Sequence, residues 1–398
     1  MEKSAIIAIA AVVIVVAAGG IGFAMMNKDK DGSSGEVTDA MGRNISVPEN
    51  LDKGIVTIGS TGPLRFASMF DVADKVIEVD IGDITDNKNG RAYSYAYPYD
   101  KLDTETQSHA NNALDTATVE KIANKNPSLV ITSEGIWKNY TANFEILEKQ
   151  CTIVVIKDQQ MKFMTGDDGK LADYMTFNIN LLGKVFKQES RAESLINGIN
   201  GIIADIASLK GTSDKNIYVA GLTISGSNPL TTTFPSYIPF DLTGSGNAYK
   251  GTSTESKVVL TVEEFGLMDI DMILIDPSSS DKISVQDSQL VMENLYDRGV
   301  DAPKMYITVP IVWDSINYDC ALASAYVVAY FNYGGFTEEQ LKEKVNNIFT
   351  VFYGDHGANV LNDMSDFFVG KSTANGQVMP LFKEVTIEHD GEYKFVAA

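Results

Sequence analysis

Residues 118–133 read TVEKIANKNPSLVITS, and residues 261–276 read TVEEFGLMDIDMILID. The two align without a gap. Each has Thr-Val-Glu, an amphipathic stretch, a polar break and then a short apolar run. Each predicts a helix capped by its opening Thr, at Thr118 and at Thr261, followed by a buried strand. One copy falls in each half of the chain, which points to two related α/β lobes.

The flanking sequence fits that scheme. Gly54 to Gly59 (GIVTIG) is an apolar strand that runs into Ser60-Thr61-Gly62-Pro63. Leu64 to Val72 has helical spacing, and Lys75 to Val79 is a further strand. Val37 to Pro48 reads as a hairpin turning at Met41 to Asn44. Between the two copies, apolar residues recur at three and four over Leu171 to Leu182 and over Ser190 to Leu209, with Gly211 as the expected cap. The second lobe opens on the strand after Asn216 and includes Met305 to Val309 and a helix from Tyr318. The predicted division is a membrane segment at 1–27, a linker at 28–35, an N-terminal lobe at 36–165, connecting helices at 166–212 and a C-terminal lobe at 213–398.

Composition narrows the function. Of 398 residues, 44 % are apolar and 21 % charged, which excludes a disordered acidic chain. The 32 Lys and Arg against 53 Asp and Glu leave a net charge of −21, so a nucleic-acid partner is not expected. Cys151 and Cys320 cannot form a disulfide framework and read as small buried residues. His109, His356 and His389 show no metal-ligand spacing. A metal would therefore arrive already wrapped in an organic chelator. No phosphate loop, nucleophile elbow or zinc motif is present.

Ser4 to Met26 carries no charge and as a helix would extend about 34 Å, enough to cross a bilayer core. Its length favours an uncleaved signal anchor. A cleaved signal, with Ala17 to Gly20 supplying small residues, is the other reading. Either places the acidic body outside the cytoplasm, tethered through Asn27 to Gly35 (NKDKDGSSG) if the segment is uncleaved and secreted if it is cleaved; a monomer is expected.

Two α/β lobes joined by a long helix behind an export segment resemble the helical-backbone class of substrate-binding proteins of ABC importers. The resemblance rests on Val37-Thr38-Asp39-Ala40-Met41-Gly42-Arg43 with Val47-Pro48, on Asp74-Lys75-Val76 with Val79-Asp80, and on Thr118 to Ile131. It also rests on Leu182-Gly183-Lys184 with Arg191-Ala192-Glu193. Thr232 to Phe240 and Trp313 to Tyr326 resemble an archaeal branch that binds iron complexes or corrinoids. The resemblance implies two Rossmann-like lobes, a ligand cleft between them, and an ABC permease with its ATPase as partners. It implies no intrinsic cofactor and an iron chelate (siderophore), haem or corrinoid as ligand. Where many relatives carry a permease-docking Glu on the first helix, this chain has Leu64 or Arg65.

In such a fold, loops at strand C-termini contact the ligand. Four sets qualify. Ser60 and Thr61 follow the first strand, with Arg65 on the helix beyond. In Arg91 to Asp100 (RAYSYAYPYD), alternation would set Tyr93, Tyr95, Tyr97 and Tyr99 on one side of an extended segment, as a stacking wall beside the Arg91 charge. Tyr93 is also a conceivable phenolate ligand to ferric iron. Glu134 and Trp137 follow the first repeat strand. Thr231, Thr232, Phe234, Tyr237, Trp313 and Tyr318 come from the second lobe. An alternative is a surface chelatase or chelate-modifying enzyme on the same scaffold, using His356 or Glu134.

Overall fold

The computed structural model describes residues 35–60, 62–84, 90–158, 165–166, 169–222, 229–253, 257–313, 315–374 and 376–398. The apolar N-terminal segment and Thr61 lie outside the described residues. Among the described residues, no helix is long and apolar enough to cross a membrane.

The described chain opens on a hairpin, β1 (Glu36–Thr38) with β2 (Asn44–Ser46), in which Val37 faces Ile45. Its turn is held by Asp39, whose carboxylate accepts the Met41 and Arg43 N–H groups and pairs with the Arg43 guanidinium at 2.5 Å. The N-terminal lobe follows as β3 (Ile55–Ile58), α1 (Pro63–Ala67), β4 (Val76–Asp80), α2 (Ala92–Ala96), β5 (Ser108–His109), α3 (Thr116–Lys125), β6 (Leu129–Ser133), α4 (Glu134–Asn139), α5 (Thr141–Leu147) and β7 (Thr152–Ile156). Its five strands are parallel in the order β5-β4-β3-β6-β7. The strands read as continuous apolar runs because both faces are covered, as parallel sheets require; Ile55, Val56, Ile58, Leu129, Val130 and Ile131 are fully buried. The order reverses between β3 and β6, and that reversal opens a crevice at their carboxyl ends.

Two helices connect the lobes, α6 (Asp173–Val185) and α7 (Glu189–Ser208). The first packs on α1 and β1. The second, about 30 Å long, packs on the helices of the other lobe. It ends at Leu209 rather than at Gly211, whose missing side chain instead admits the Tyr333 ring.

The C-terminal lobe contains β8 (Asn216–Ala220), β9 (Thr232–Thr233), α8 (Ile238–Thr243), β10 (Gly246–Asn247), β11 (Val258–Val259), α9 (Val262–Gly266), β12 (Met272–Ile275), α10 (Gln286–Asp297) and β13 (Lys304–Ile307). Beyond them come β14 (Val312–Trp313), β15 (Ser315–Ile316), α11 (Tyr318–Tyr333), α12 (Glu338–Tyr353), α13 (Val360–Ala374), β16 (Glu384–Asp390) and β17 (Glu392–Ala397). The sheet order is β10-β8-β12-β13-β16-β17. Its first four strands are parallel, and the C-terminal hairpin β16–β17 adds antiparallel at the edge. The molecule is a two-lobed α/β protein.

The two sequence repeats both fold as helix then strand, but their helices start differently. In the second copy Thr261 is the cap, forming a reciprocal capping box with Glu264. In the first copy the helix begins at Thr116, because the Asp115 carboxylate accepts the Thr118 N–H at 2.8 Å. Thr118 is therefore inside the helix and not its cap. The tyrosine segment also departs from its pattern. Residues Ala92–Ala96 coil into α2 instead of extending, so the four rings do not share one side of a strand.

Candidate functional site

The carboxyl ends of β3, β6 and β7 converge on a cleft of about 390 Å³. Its N-lobe wall is made by Gly59, Ser60 and Pro63 after β3, Asn112 after β5, Ser133, Ile136 and Asn139 around α4, and Lys157 and Asp158 after β7. Ser315, from the β14–β15 hairpin, faces them from the other lobe. This is the crevice that the strand order dictates. Its lining is mostly hydroxyl, amide and backbone groups, which suit an oxygen-rich ligand better than a flat apolar ring.

Local structure fixes these groups. The Asn112 Oδ1 accepts the Ser60 N–H at 3.0 Å, and the Asn112 N–H donates to Asp80 Oδ2 at 2.7 Å. The first two cleft loops are thereby tied to each other and to the end of β4. Asn178 on α6 clamps the backbone of Lys157 from both sides, accepting its N–H at 2.8 Å and donating to its carbonyl at 3.0 Å. The Lys157 ammonium lies 4.5 Å over the Phe177 ring. The Asp158 carboxylate accepts the Gly135 N–H at 2.9 Å, and Glu134 accepts the Asp158 N–H at 3.3 Å. The start of α4 thus has a carboxylate of its own.

Of the residues nominated from sequence, Ser60 lines this cleft. Glu134 stands at its margin, between the lining residues Ser133 and Gly135. Thr61 falls outside the described residues. Trp313 belongs to β14, beside the hairpin residue that closes the cleft, and its side chain is outside the described part.

The others lie outside the cleft lining, and all but the half-buried Tyr95 are buried. Trp137 stacks on Phe144 with centroids 5.0 Å apart, and the Arg43 guanidinium lies 3.8 Å above it. It is a layer of the N-lobe core. Thr231, Thr232, Phe234 and Tyr237 are buried in the C-lobe, where the Tyr237 hydroxyl bonds Ser324 at 2.8 Å. Arg65, Arg91, Tyr93 and Tyr318 are buried where the lobes meet. Arg91 donates to the Gly82 carbonyl at 2.8 Å. Tyr95 meets Phe367, and Tyr97 meets His356 and Tyr353, edge-on or tilted.

The Tyr93 hydroxyl donates to Asp83 at 2.6 Å. Burial first, and then the Asp83 charge, push the phenol well above its usual pKa. It stays protonated, which is the wrong form for a phenolate ligand to iron. Among the described residues, no three His, Cys, Asp or Glu side chains assemble as a metal-ligand set.

The lobes touch intimately behind the cleft. Arg65 on α1 donates to the Ile316 carbonyl on β15 at 2.7 Å, and Tyr174 on α6 bonds Tyr318 on α11 at 2.5 Å. Gly90 approaches Pro310 so closely that a β-carbon there would lie 2.3 Å from the Pro310 carbonyl oxygen. Arg191 on α7 pins the connector to both sides. It donates to the Met69 carbonyl at 3.0 Å and to the carbonyls of Val351 and Phe352 at 2.9 Å each, which are among the acceptors left over at the end of α12.

Sequence reasoning placed a candidate loop at Ser133-Glu134-Gly135, whose Ser133 and Gly135 line the cleft, and overlooked Asn112, Asn139, Lys157, Asp158 and Ser315. The usable signal was the apolar run ending at Ile156, since Lys157-Asp158 directly follows a strand terminus just as Ser60 does. The small polar residues gave no such signal, because Asn and Ser occupy any turn.

The model of a family described as periplasmic binding protein matches residues 72–297. The chain belongs to the periplasmic binding protein family. No curated protein is similar to it at a significant level. Among solved structures, a periplasmic solute binding protein from Veillonella parvula is similar, with 18 % identity, a TM-score of 0.57, and 82 % of this chain and 96 % of that one covered. The molybdate periplasmic binding protein of a Haemophilus influenzae ABC transporter is 16 % identical, with a TM-score of 0.54 and coverage of 80 % and 98 %. The petrobactin-binding protein of Bacillus subtilis is 18 % identical, with a TM-score of 0.50 and coverage of 80 % and 99 %. At these identities the likeness concerns the fold.

Proposed function

We propose that this protein captures a compact, oxygen-rich iron chelate of the siderophore type between its lobes and delivers it to an ABC permease and its ATPase. It acts as a monomer, without catalysis and without a resident cofactor. The apolar segment Ser4 to Met26 tethers it to the outer face of the cell membrane. The cleft lining carries the ligand reading. Ser60, Asn112, Ser133, Asn139 and Ser315 offer hydrogen bonds to ligand oxygens, and Lys157 and Asp158 bring one charge of each sign to the lining. The cleft's about 390 Å³ is at the small end of ligand pockets. Of the tyrosines that would stack on a haem or corrinoid, Tyr93 and Tyr97 are buried and Tyr95 packs on Phe367, and none lines the cleft, which favours the compact chelate over either macrocycle. Family membership supports the capture role.

Mass spectrometry of the full-length chain, purified natively from iron-containing medium, tests this reading. A co-purifying ferric chelate is expected. Haem or a corrinoid in its place would overturn the ligand assignment.

A further inference from the structure

Arg65 is 1 % exposed and sits on α1, two residues after the cleft-lining Pro63. Its Nη1 donates to the Ile316 carbonyl, next to the cleft-lining Ser315. Its Nε and Nη2 have no hydrogen-bond partner among the described residues. These two atoms form the side edge of the guanidinium, the edge whose two parallel N–H bonds match a carboxylate. The Tyr93 and Tyr318 rings lie 5.9 and 6.0 Å from the Arg65 carbon. The Asp319 carboxylate, close enough to feel the Arg65 charge, is engaged elsewhere. It accepts the Cys320 N–H at 2.7 Å and the Tyr353 hydroxyl at 2.5 Å. A buried charged donor edge without an acceptor is costly, and a bidentate oxyanion removes that cost.

We propose that the side edge of Arg65 is an anion subsite at the back of the cleft, taking a carboxylate of the ligand while Nη1 holds the β14–β15 hairpin of the opposite lobe. One guanidinium then reads the ligand's charge and fastens the lobes over it. The inference rests on the cleft being the solute site and deepens it, since the solute must carry a carboxylate. The donor edge is buried in protein, so an anion reaches it only after a local opening.

The test compares the full chain with its Arg65→Lys and Arg65→Met variants. The probes are metal-free citrate, ferric citrate and a ferric trihydroxamate lacking any carboxylate, read by calorimetry and thermal melting. Lysine can still donate to the Ile316 carbonyl but has no side edge. Arg65→Lys is expected to melt near the parent temperature and to bind both citrate forms about tenfold or more weakly. Trihydroxamate binding should change far less. Arg65→Met should lose citrate binding altogether. Unchanged citrate affinity in Arg65→Lys, or a parent protein that binds neither citrate form, would overturn the subsite. If citrate binds through Arg65 equally with and without iron and the trihydroxamate does not bind, the subsite stands and the iron-chelate reading fails. If the trihydroxamate binds while neither variant weakens citrate, the reverse holds.

Discussion

Trp137 and Trp313 are the chain's two tryptophans, and they sit on different elements. Trp137 is locked between Phe144 and Arg43 in the N-lobe core, whereas Trp313 lies on the hairpin that carries Ser315. A ligand-induced change in tryptophan fluorescence should therefore persist in Trp137→Phe and vanish in Trp313→Phe; the opposite pattern would place the response in the core. A second residue sets a pH dependence. Asp276, at the end of β12, is fully buried and its acid is pushed up to about 6 by desolvation, partly offset by hydrogen bonds from Ser278 and Ile311. Because the folded acid holds its proton more tightly than the unfolded one, its contribution to stability falls as pH rises from about 4 to about 6. The loss is about 3 kcal/mol. Asp276→Asn should remove that slope in a pH series of denaturant melts, and an unchanged profile would show that Asp276 does not titrate there. At this scale little of the site was legible. Tyr93, Tyr95 and Tyr97 alternate with small residues, but Tyr93 and Tyr97 are also four apart and share a helical face. Contact with the other lobe, which no local pattern encodes, decided for the helix.

Elements were far more legible, because their signal is periodicity and both faces of each sheet are covered. The strands around Ile55, Val76, Leu129 and Met272 and the long helices α6 and α7 all fall where apolar spacing puts them. The gap-free repeat gave the first sign of two lobes, although its two helices start by different chemistry. Thr261→Ala should cost about 1 kcal/mol by breaking the capping box. In the first copy Asp115→Ala should lower the melting temperature, since Asp115 and not Thr118 is the cap. If Asp115→Ala were neutral, the assigned start of α3 would be wrong. The C-terminal hairpin β16–β17 joins the sheet through the pairing of β16 with β13, which is distant in sequence. Edge pairing of that kind leaves no local mark.

For the whole molecule, the connector decides how far the lobes can part. Arg191 satisfies carbonyls of both lobes at once, and the Arg65 and Tyr174 contacts close the same seam. Arg191→Ala should cost about 2–3 kcal/mol, because three carbonyls lose a charged donor. It should also speed amide exchange at the end of α12 without shifting the cleft lining. A variant as stable as the parent would mean that the lobes are held elsewhere. Lobe motion on binding is then expected to be modest, with affinity drawn from preformed loops. The measurement that bears most directly on the account is calorimetric titration of the full chain with ferric siderophores, ferric citrate, haem and a corrinoid. The account predicts one site that binds a compact ferric chelate at micromolar concentration or below and binds haem and corrinoid weakly. Failure of every ferric chelate to bind at micromolar concentration would contradict it.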